Sequence, residues 1–83
     1  MPLDQLKNAN NRAVGTKQVL KAIEDNNVSL VFVAQDADAK LIEPIKKSSV
    51  EHGIDVICVS QRIDLGQACG IDVGAAAAAI LKD

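Results

Sequence analysis

Residues 15–25, with the sequence Gly-Thr-Lys-Gln-Val-Leu-Lys-Ala-Ile-Glu-Asp, form the stretch around which the rest of the chain is organised. Its apolar residues recur at i, i+1 and i+4, a spacing that places them on one stripe of a helix facing a core: Val19, Leu20 and Ile23. Before this stripe stand Gly15 and Thr16, and a threonine hydroxyl can accept hydrogen bonds from the free N–H groups of a first helical turn. The sequence therefore predicts an amphipathic helix from Thr16 to Asp25, with Thr16 as its cap.

The charges of this predicted helix oppose its dipole. Lys17 and Lys21 lie toward the positive end and Glu24 and Asp25 toward the negative end, where each misplaced charge costs about 0.3–1 kcal/mol. An anion bound at the helix start would offset this cost, because free N–H groups and two ammonium groups would face it. Gly15 has no side chain and would let a ligand approach closely. The helix start is thus a candidate anion site, and solvated lysines beside an ordinary turn are the alternative.

The stretches on either side alternate between helix and strand patterns. Residues 2–10 have the apolar spacing of a short amphipathic helix, and residues 12–14 form a brief extended piece. Residues 28–34 and 54–59 are near-continuous apolar, β-branched runs typical of buried strands. A last strand is predicted near residues 77–81 although alanine favours helix, because small side chains on a strand let two helix layers approach closely.

Two further helices complete the predicted order. Asp38 is the expected cap of the first, and Pro44 interrupts it, so we expect a short turn of helix followed by a fresh start at Pro44. Ser60 is the expected cap of the second, which runs to Cys69. Alternating helices and strands predict an α/β fold, a three-layer α/β/α sandwich with a small mixed sheet of about four strands, as a single domain over residues 1–83.

The composition excludes several functional classes. The chain contains one Phe and neither Trp nor Tyr, so a platform of aromatic rings that stacks bases is excluded. Its net charge of −2 argues against a general nucleic-acid coat protein, whose affinity comes from many phosphate contacts. A compact basic site stays compatible with this charge, because a few lysines can act locally.

The two cysteines, Cys58 and Cys69, are too few for a disulfide framework and lack C-x-x-C spacing. Cys58 lies within an apolar run and is expected to be a small buried residue. With His52 as the single histidine, neither a metal site nor a cofactor is predicted. The absence of a signal peptide or of a span of about 20 apolar residues predicts a cytoplasmic protein.

Two segments resemble one known family. Residues 15–21 (GTKQVLK) and residues 65–76 (LGQACGIDVGAA), with the turn at residues 36–38, look like the kink-turn RNA-binding group of large-subunit ribosomal proteins, the L7Ae and L30e group. The later segment is fairly specific, whereas Gly-Thr-x-x-x-x-Lys alone would be a weak signal. The resemblance covers nearly the whole chain and implies a protein that binds RNA and is not an enzyme.

The resemblance also implies roles for individual residues. Lys17 and Gln18 would reach the base edges of tandem sheared G·A pairs in a sharply bent RNA loop, and Lys21 would contact the same region. Gly15 and Thr16 would let the helix start approach the RNA backbone. Many family members have Asn-Glu where this chain has Lys17-Gln18. Lysine can only donate hydrogen bonds, so we expect relaxed base specificity and stronger attraction to phosphate.

A loop late in the chain has the second implied role. Ile71, Asp72 and Val73 would lie beside the extruded nucleotide of the RNA, with Ile71 and Val73 as its apolar wall. The alternative is that these two apolar residues only pin the loop to the neighbouring helix. The central expectation is that this loop and the start of the 16–25 helix come together as one surface.

The expected partner is structured RNA with a kink-turn, either ribosomal or other, bound by a monomer that is cytoplasmic or ribosome-associated and contacts neither DNA nor membrane. Two alternatives stay open. A protein-interaction or scaffold domain without RNA contact would agree with the net acidity. A small α/β enzyme or phosphate carrier would need a cysteine nucleophile beside a base, and neither Cys58 nor Cys69 has a neighbouring histidine at such a loop.

Overall fold

The computed structural model describes residues 2–82, in which helices and strands alternate along the whole chain. The helices and strands follow in this order: α1 (Pro2–Asn8), β1 (Arg12–Val14), α2 (Thr16–Glu24), β2 (Val28–Ala34), α3 (Ala39–Glu51), β3 (Val56–Val59), α4 (Arg62–Ala68) and β4 (Ala77–Leu81).

The four strands form one mixed sheet in the order β1-β4-β2-β3. β4 pairs antiparallel with both β1 and β2, and β2 pairs parallel with β3. The register sets Val14 opposite Ala78, Val33 opposite Ala77 and Ala34 opposite Val59. As a result β1, β2 and β3 finish, and β4 begins, at one end of the sheet, which we call the Gly15 end.

The alanine-rich segment 77–81 is a strand, as predicted, and lies between two strands in the interior of the sheet. Ala77 and Ala79 face one hydrophobic cluster and Ala78 faces the other, and all three side chains are fully buried. Alanine's preference for helix amounts to a few tenths of a kcal/mol per residue, roughly, relative to other small residues. The close approach of helices from both faces outweighs that preference, because a larger side chain would hold them apart.

Helices cover the sheet on both faces, which confirms the three-layer α/β/α prediction. α2 and α3 pack on one face through a cluster that joins helix residues to inward-facing residues of β2: Val19, Ile23, Ile42, Ile45, Val31 and Val33. α1 and α4 pack on the other face through a second cluster around the single phenylalanine: Leu6, Leu65, Ala68, Phe32 and Ala34. The alternation along β2 follows from the two-residue period of a strand.

The predicted break at Pro44 is wrong, because α3 is one continuous helix with Pro44 inside it. Its N-terminus is fixed by Asp38, whose carboxylate accepts a hydrogen bond of 3.0 Å from the Lys40 N–H. Ile42 and Ile45 flank the proline and are both buried in the core, so packing holds the helical path. Proline lacks an N–H to donate to Lys40, yet this carbonyl lies on an exposed residue where water can replace the donor.

The expectation that Cys58 is buried is also wrong. β3 is an edge strand, and the helices do not cover all of its side chains. Cys58 is one of those that stay exposed. Cys69, at the end of α4, is buried with 7% of its surface exposed. Burial raises the pKa of the Cys69 thiol, and the charge of Arg12 partly opposes this rise. An apolar run of sequence could not distinguish an interior strand from an edge strand.

We expect Pro44→Ala to stabilise the protein by about 1–2 kcal/mol. The substitution restores the donor for Lys40 and removes the clash of the ring, an effect of about 3 kcal/mol in helix interiors, and it loses up to about 1 kcal/mol of stiffness in the unfolded chain. Urea unfolding measures the change. Glu43→Ala, at the exposed position beside it, is the matched control. A Pro44→Ala protein no more stable than this control would contradict the account of α3.

We expect iodoacetamide at pH 8 to modify Cys58 in the folded protein and to modify Cys69 slower by on the order of ten-fold or more. Cys69 is buried, and its raised pKa leaves less thiolate at a given pH. Mass spectrometry of peptides from a time course gives both rates. Unfolding in urea should bring the two rates close together, and equal rates in the folded protein would contradict the placement of β3 at the sheet edge.

Candidate nucleic-acid interface

The start of α2 is built differently from the prediction. Gly15, not Thr16, occupies the N-cap position, with φ 96° and ψ 154°, and no side chain caps the helix. A positive φ of this kind is strained for residues with a side chain, so glycine is required here by conformation. Nothing lies within 4 Å of where a Cβ of Gly15 would stand, so the space in front of it is open. Thr16 is the first helical residue and its cap role is a wrong prediction.

Gln18 takes part in fixing this turn. Its side-chain Oε1 accepts a hydrogen bond of 3.3 Å from the Val14 N–H, just before the helix. This resembles the reach-back of a third helical residue in a capping box. The bond orients the amide, and the NH₂ group of Gln18, with the second lone pair of its oxygen, is left for a ligand.

The two basic residues of α2 lie in different turns of the helix. Lys17 is exposed in the first turn, whereas Lys21 is exposed in the last turn, because α2 ends at Glu24. The prediction that both lysines oppose the dipole is therefore wrong for Lys21, which lies where a cation is favoured. Their spacing of four residues still puts the two ammonium groups on the same side of the helix.

The first turn of α2 offers backbone donors beside these lysines. The first α-helical hydrogen bond runs from the Val19 N–H to the Gly15 carbonyl at 3.0 Å. Within residues 2–82, the N–H groups of Thr16, Lys17 and Gln18 have no acceptor. Free N–H groups, the positive end of the helix dipole and Lys17 together favour a negatively charged ligand.

A backbone hydrogen bond joins the start of α2 to the beginning of β4. The Gly15 N–H donates to the Ala77 carbonyl at 2.9 Å. Val73 precedes Ala77 by four residues, so its Cα is at most about 14 Å from that of Ala77. The structure therefore brings the α2 start and the loop before β4 to the Gly15 end of the sheet.

The loop of residues 70–74 divides its apolar residues between two environments. Val73 has 65% of its surface exposed, and Asp72 is exposed beside it. Ile71 is partly buried and packs against the cluster around Phe32. Pinning the loop is thus one role of Ile71, whereas Val73 has no core to enter and is the residue available to a ligand.

The loop is held tightly on α4. The Ile71 N–H donates to the Gly66 carbonyl at 3.1 Å, and the Ala75 N–H donates to the Arg62 carbonyl at 3.0 Å. Gly66 has no space for a side chain, because a Cβ there would overlap the Val73 carbonyl oxygen. Two hydrogen bonds and this close contact fix where Val73 is presented.

Asp36 and Arg62 are two residues of this end of the sheet that were not among the predicted site residues. Asp36, in the turn after β2, accepts a hydrogen bond of 2.8 Å from the Arg62 N–H at the start of α4. The expected cap Ser60 does not cap α4, whose N-cap residue is Gln61 without a side-chain bond. A signal was present in the sequence: both residues shortly follow predicted strands, 28–34 and 54–59, that are joined by a helix, and strands joined in this way commonly pair in parallel and end together.

Arg12, by contrast, serves the opposite end of the sheet. Its Nη1 donates to the carbonyls of Leu6 at 3.3 Å and Ala68 at 3.2 Å, near the ends of α1 and α4. A guanidinium at two helix C-termini satisfies carbonyls that lack helical partners. The Nη1 donors of Arg12 are therefore engaged within the protein.

Other chemistries find little support in the described chain. Within residues 2–82, no three His, Cys, Asp or Glu side chains are grouped so as to hold a metal ion. None of the helices described is long and apolar enough to cross a membrane. Cys58 lies within β3, and the nearest histidine in sequence, His52, points its Nδ1 at the Ser48 carbonyl.

Comparison with known proteins identifies a family and similar chains. The model of the ribosomal protein L7Ae/L30e/S12e/Gadd45 family matches residues 2–83. A protein of Bacillus pumilus named RNA-binding protein is 42% identical over 81 residues, covering 98% of this chain and 99% of that protein. The large ribosomal subunit protein eL8 of Halobacterium salinarum is 40% identical over 68 residues, covering 81% of this chain and 57% of that protein.

A solved structure supports the fold. The 15.5kD RNA binding protein of Giardia lamblia superimposes with a TM-score of 0.83 at 24% identity, covering 99% of this chain and 72% of that one. At this level of identity the likeness concerns the arrangement of helices and strands. It agrees with the α/β class predicted from the alternating sequence patterns.

Gly66→Ala should destabilise the protein by about 1–3 kcal/mol, the usual cost of overpacking. Helix propensity alone predicts the reverse, a gain of about 1 kcal/mol, because alanine is the better helix former. Thermal unfolding measures the sign. Gln67→Ala, at the neighbouring exposed position of α4, gives the effect of alanine without the clash. A Gly66→Ala protein as stable as this control would contradict the tight seating of the loop.

Proposed function

Because this chain belongs to the ribosomal protein L7Ae/L30e/S12e/Gadd45 family, we propose that it is an RNA-binding protein that recognises and stabilises kink-turn motifs in structured RNA. The family resemblance drawn from residues 15–21 and 65–76 is confirmed by this match. The relatives described above carry names of RNA-binding and ribosomal proteins, which agrees with the prediction that the chain is not an enzyme.

One observation carries the proposal beyond the family. The Gly15–Ala77 hydrogen bond sets a helix start with free N–H groups at the same end of the sheet as a loop with an exposed apolar residue, Val73. A bent RNA presents the complementary pair of features, because its phosphate backbone turns sharply and an unstacked base is exposed. Polar and apolar halves of the surface would then meet phosphate and base, respectively.

The residues take the following roles in this proposal. Lys17 and the NH₂ group of Gln18 donate to base edges of the G·A pairs, and Lys21 contacts the same region from the next turn. Gly15 and Thr16 admit the RNA backbone to the open space before the helix. Val73, supported by Ile71 and Asp72, lies against the extruded nucleotide. Such a surface binds the bent conformer better than the extended one and so stabilises it.

Two features adapt the surface to phosphate more than to base sequence. Lysine at position 17 donates without accepting, and Gln18 has its oxygen engaged with Val14. Lys17 cannot accept a hydrogen bond from a base edge, and Gln18 has one of the two lone pairs of its oxygen already engaged. The proposed protein therefore tolerates variation of the base pairs as long as the RNA bends. We also propose that it acts as a monomer in the cytoplasm, free or associated with ribosomes.

The deciding experiment compares two RNAs in a gel shift. One contains a kink-turn with tandem sheared G·A pairs, and the other has these pairs replaced by Watson–Crick pairs so that it stays straight. Binding that clearly favours the kink-turn RNA supports the proposal. Equal binding to both RNAs would defeat kink-turn recognition, and no binding to either would favour the protein-interaction alternative.

Lys17→Ala should weaken binding to the kink-turn RNA about ten-fold, since contacts of this kind contribute roughly 1–3 kcal/mol. Because the charge of Lys17 also attracts the neighbouring phosphates, the substitution should lower the slope of log affinity against log salt by up to about 0.7–0.9, the value for one phosphate contact. Its melting temperature should hardly change, because Lys17 is exposed and its side chain makes no hydrogen bond or ion pair within residues 2–82. Lys47→Ala, an exposed lysine in the second half of α3, is the matched control. Equal effects of the two substitutions would remove Lys17 from the site.

A further inference from the structure

Asp36 and Arg62 lie side by side in the lining of a shallow groove at the Gly15 end. The groove has a volume of about 310 Å³ and is lined by Asp36, Arg62, Ile63 and Gly74. Gly74 closes the 70–74 loop and lies directly against Arg62, since a Cβ on it would stand 3.0 Å from the Cβ of Arg62. The groove therefore borders the loop that presents Val73.

Two contacts link Asp36 to Arg62, and they differ in strength. The Oδ1 atom of Asp36 accepts a hydrogen bond from the Arg62 backbone N–H at 2.8 Å. The same oxygen lies 3.7 Å from the Arg62 Nε, and the two side chains are 57% and 45% exposed, for Arg62 and Asp36 respectively. The first contact fixes the turn to α4, whereas the second is a loose surface ion pair.

The guanidinium of Arg62 is left with unused donors. Within residues 2–82, its two Nη groups have no acceptor, and the fork geometry of a guanidinium suits two oxygens of one phosphate. The nearest charge is the Asp36 carboxylate, which attracts the guanidinium and repels phosphate. Any phosphate that reaches Arg62 must therefore displace or outcompete this carboxylate.

Building on the proposed function, we propose that the Asp36–Arg62 ion pair sets the selectivity of this surface for bent over straight RNA. A bent RNA brings a phosphate into the groove beside the loop, and the guanidinium turns from Asp36 to bind it with two hydrogen bonds. A straight duplex passes the groove at a distance, where the carboxylate keeps Arg62 occupied so that the guanidinium does not bind the backbone. Asp36 is thus a positioning residue, and its charge acts against the wrong partner.

Asp36→Asn separates the two contacts of Asp36. The side-chain oxygen of asparagine still accepts from the Arg62 N–H, while the negative charge is gone. A surface ion pair contributes about 0.2–1 kcal/mol, so we expect affinity for a fully paired duplex to rise about two- to five-fold. Affinity for a kink-turn RNA should rise less, and the ratio of the two affinities should fall. Unfolding in urea checks that the variant keeps the wild-type stability.

Two further variants test the role of Arg62 itself. Asp55→Asn removes one negative charge from the opposite end of the sheet, just before β3, and should leave the ratio unchanged. Arg62→Gln keeps the backbone bond to Asp36 and should weaken kink-turn binding about two- to five-fold with little effect on the duplex. In the Arg62→Gln background, Asp36→Asn should no longer change the ratio.

The results separate the two proposals. If the wild-type protein does not distinguish the two RNAs, kink-turn recognition fails and this inference fails with it. If the wild type distinguishes them, the ratio of kink-turn to duplex affinity should be lower in Asp36→Asn than in Asp55→Asn. Equal ratios in these two variants would overturn this inference and leave kink-turn recognition standing. An Asp36→Asn effect that persists in the Arg62→Gln background would also overturn it, because the charge would then act on RNA without the arginine.

Discussion

The hydrogen bond from the Gly15 N–H to the Ala77 carbonyl is the constraint on which the candidate site depends. It extends the pairing of β1 with β4 by one residue beyond the end of β1, into the turn that opens α2. That residue adopts a conformation open to glycine, with no side chain in front of it. Two segments separated by about 60 residues along the chain thereby meet at one end of the sheet, as the register of the strands requires.

The central position of the alanine strand explains why this junction is firm. β4 is bordered by β1 and β2, and helices cover it on both faces. Its beginning therefore cannot move without disturbing both clusters of the core, since close-packed interiors transmit strain. The loop before it is anchored again on α4 through Gly66 and Arg62. The polar donors and the apolar Val73 are in this way held at a fixed separation before any ligand binds, which lowers the entropic cost of binding.

Much of the fold followed from the sequence, because the helix and strand periods agree with one another along the chain and Asp38 caps α3 as predicted. The caps predicted at Thr16 and Ser60 are wrong. The strand of alanines was predicted from its context against its propensity. The helix break predicted at Pro44 is wrong, because the core packing of Ile42 and Ile45 outweighs the tendency of proline to interrupt a helix. The predicted burial of Cys58 is wrong, because the order of strands in a sheet depends on tertiary structure and not on the local sequence. An edge position exposes residues that an apolar run predicts to be buried.

The site was predictable in outline and less so in its details. The start of α2 and the 70–74 loop carried recognisable motifs, whereas the cap of α2 and the engagement of Gln18 depend on backbone geometry. Asp36 and Arg62 are 26 positions apart and meet only through the parallel pairing of β2 with β3. No local pattern reports such a pair, although the order of the predicted strands indicates which loops end side by side.

The most direct test of the central claim is an NMR titration of the ¹⁵N-labelled protein with a kink-turn RNA. One receptor surface predicts that the amide signals of residues 15–18 and of residues 71–73 shift together, with the same dependence on RNA concentration. The signals of Asp55 and Lys82, at the opposite end of the sheet, should stay in place. Shifts confined to one of the two segments, or shifts that saturate at different RNA concentrations, would contradict a single surface.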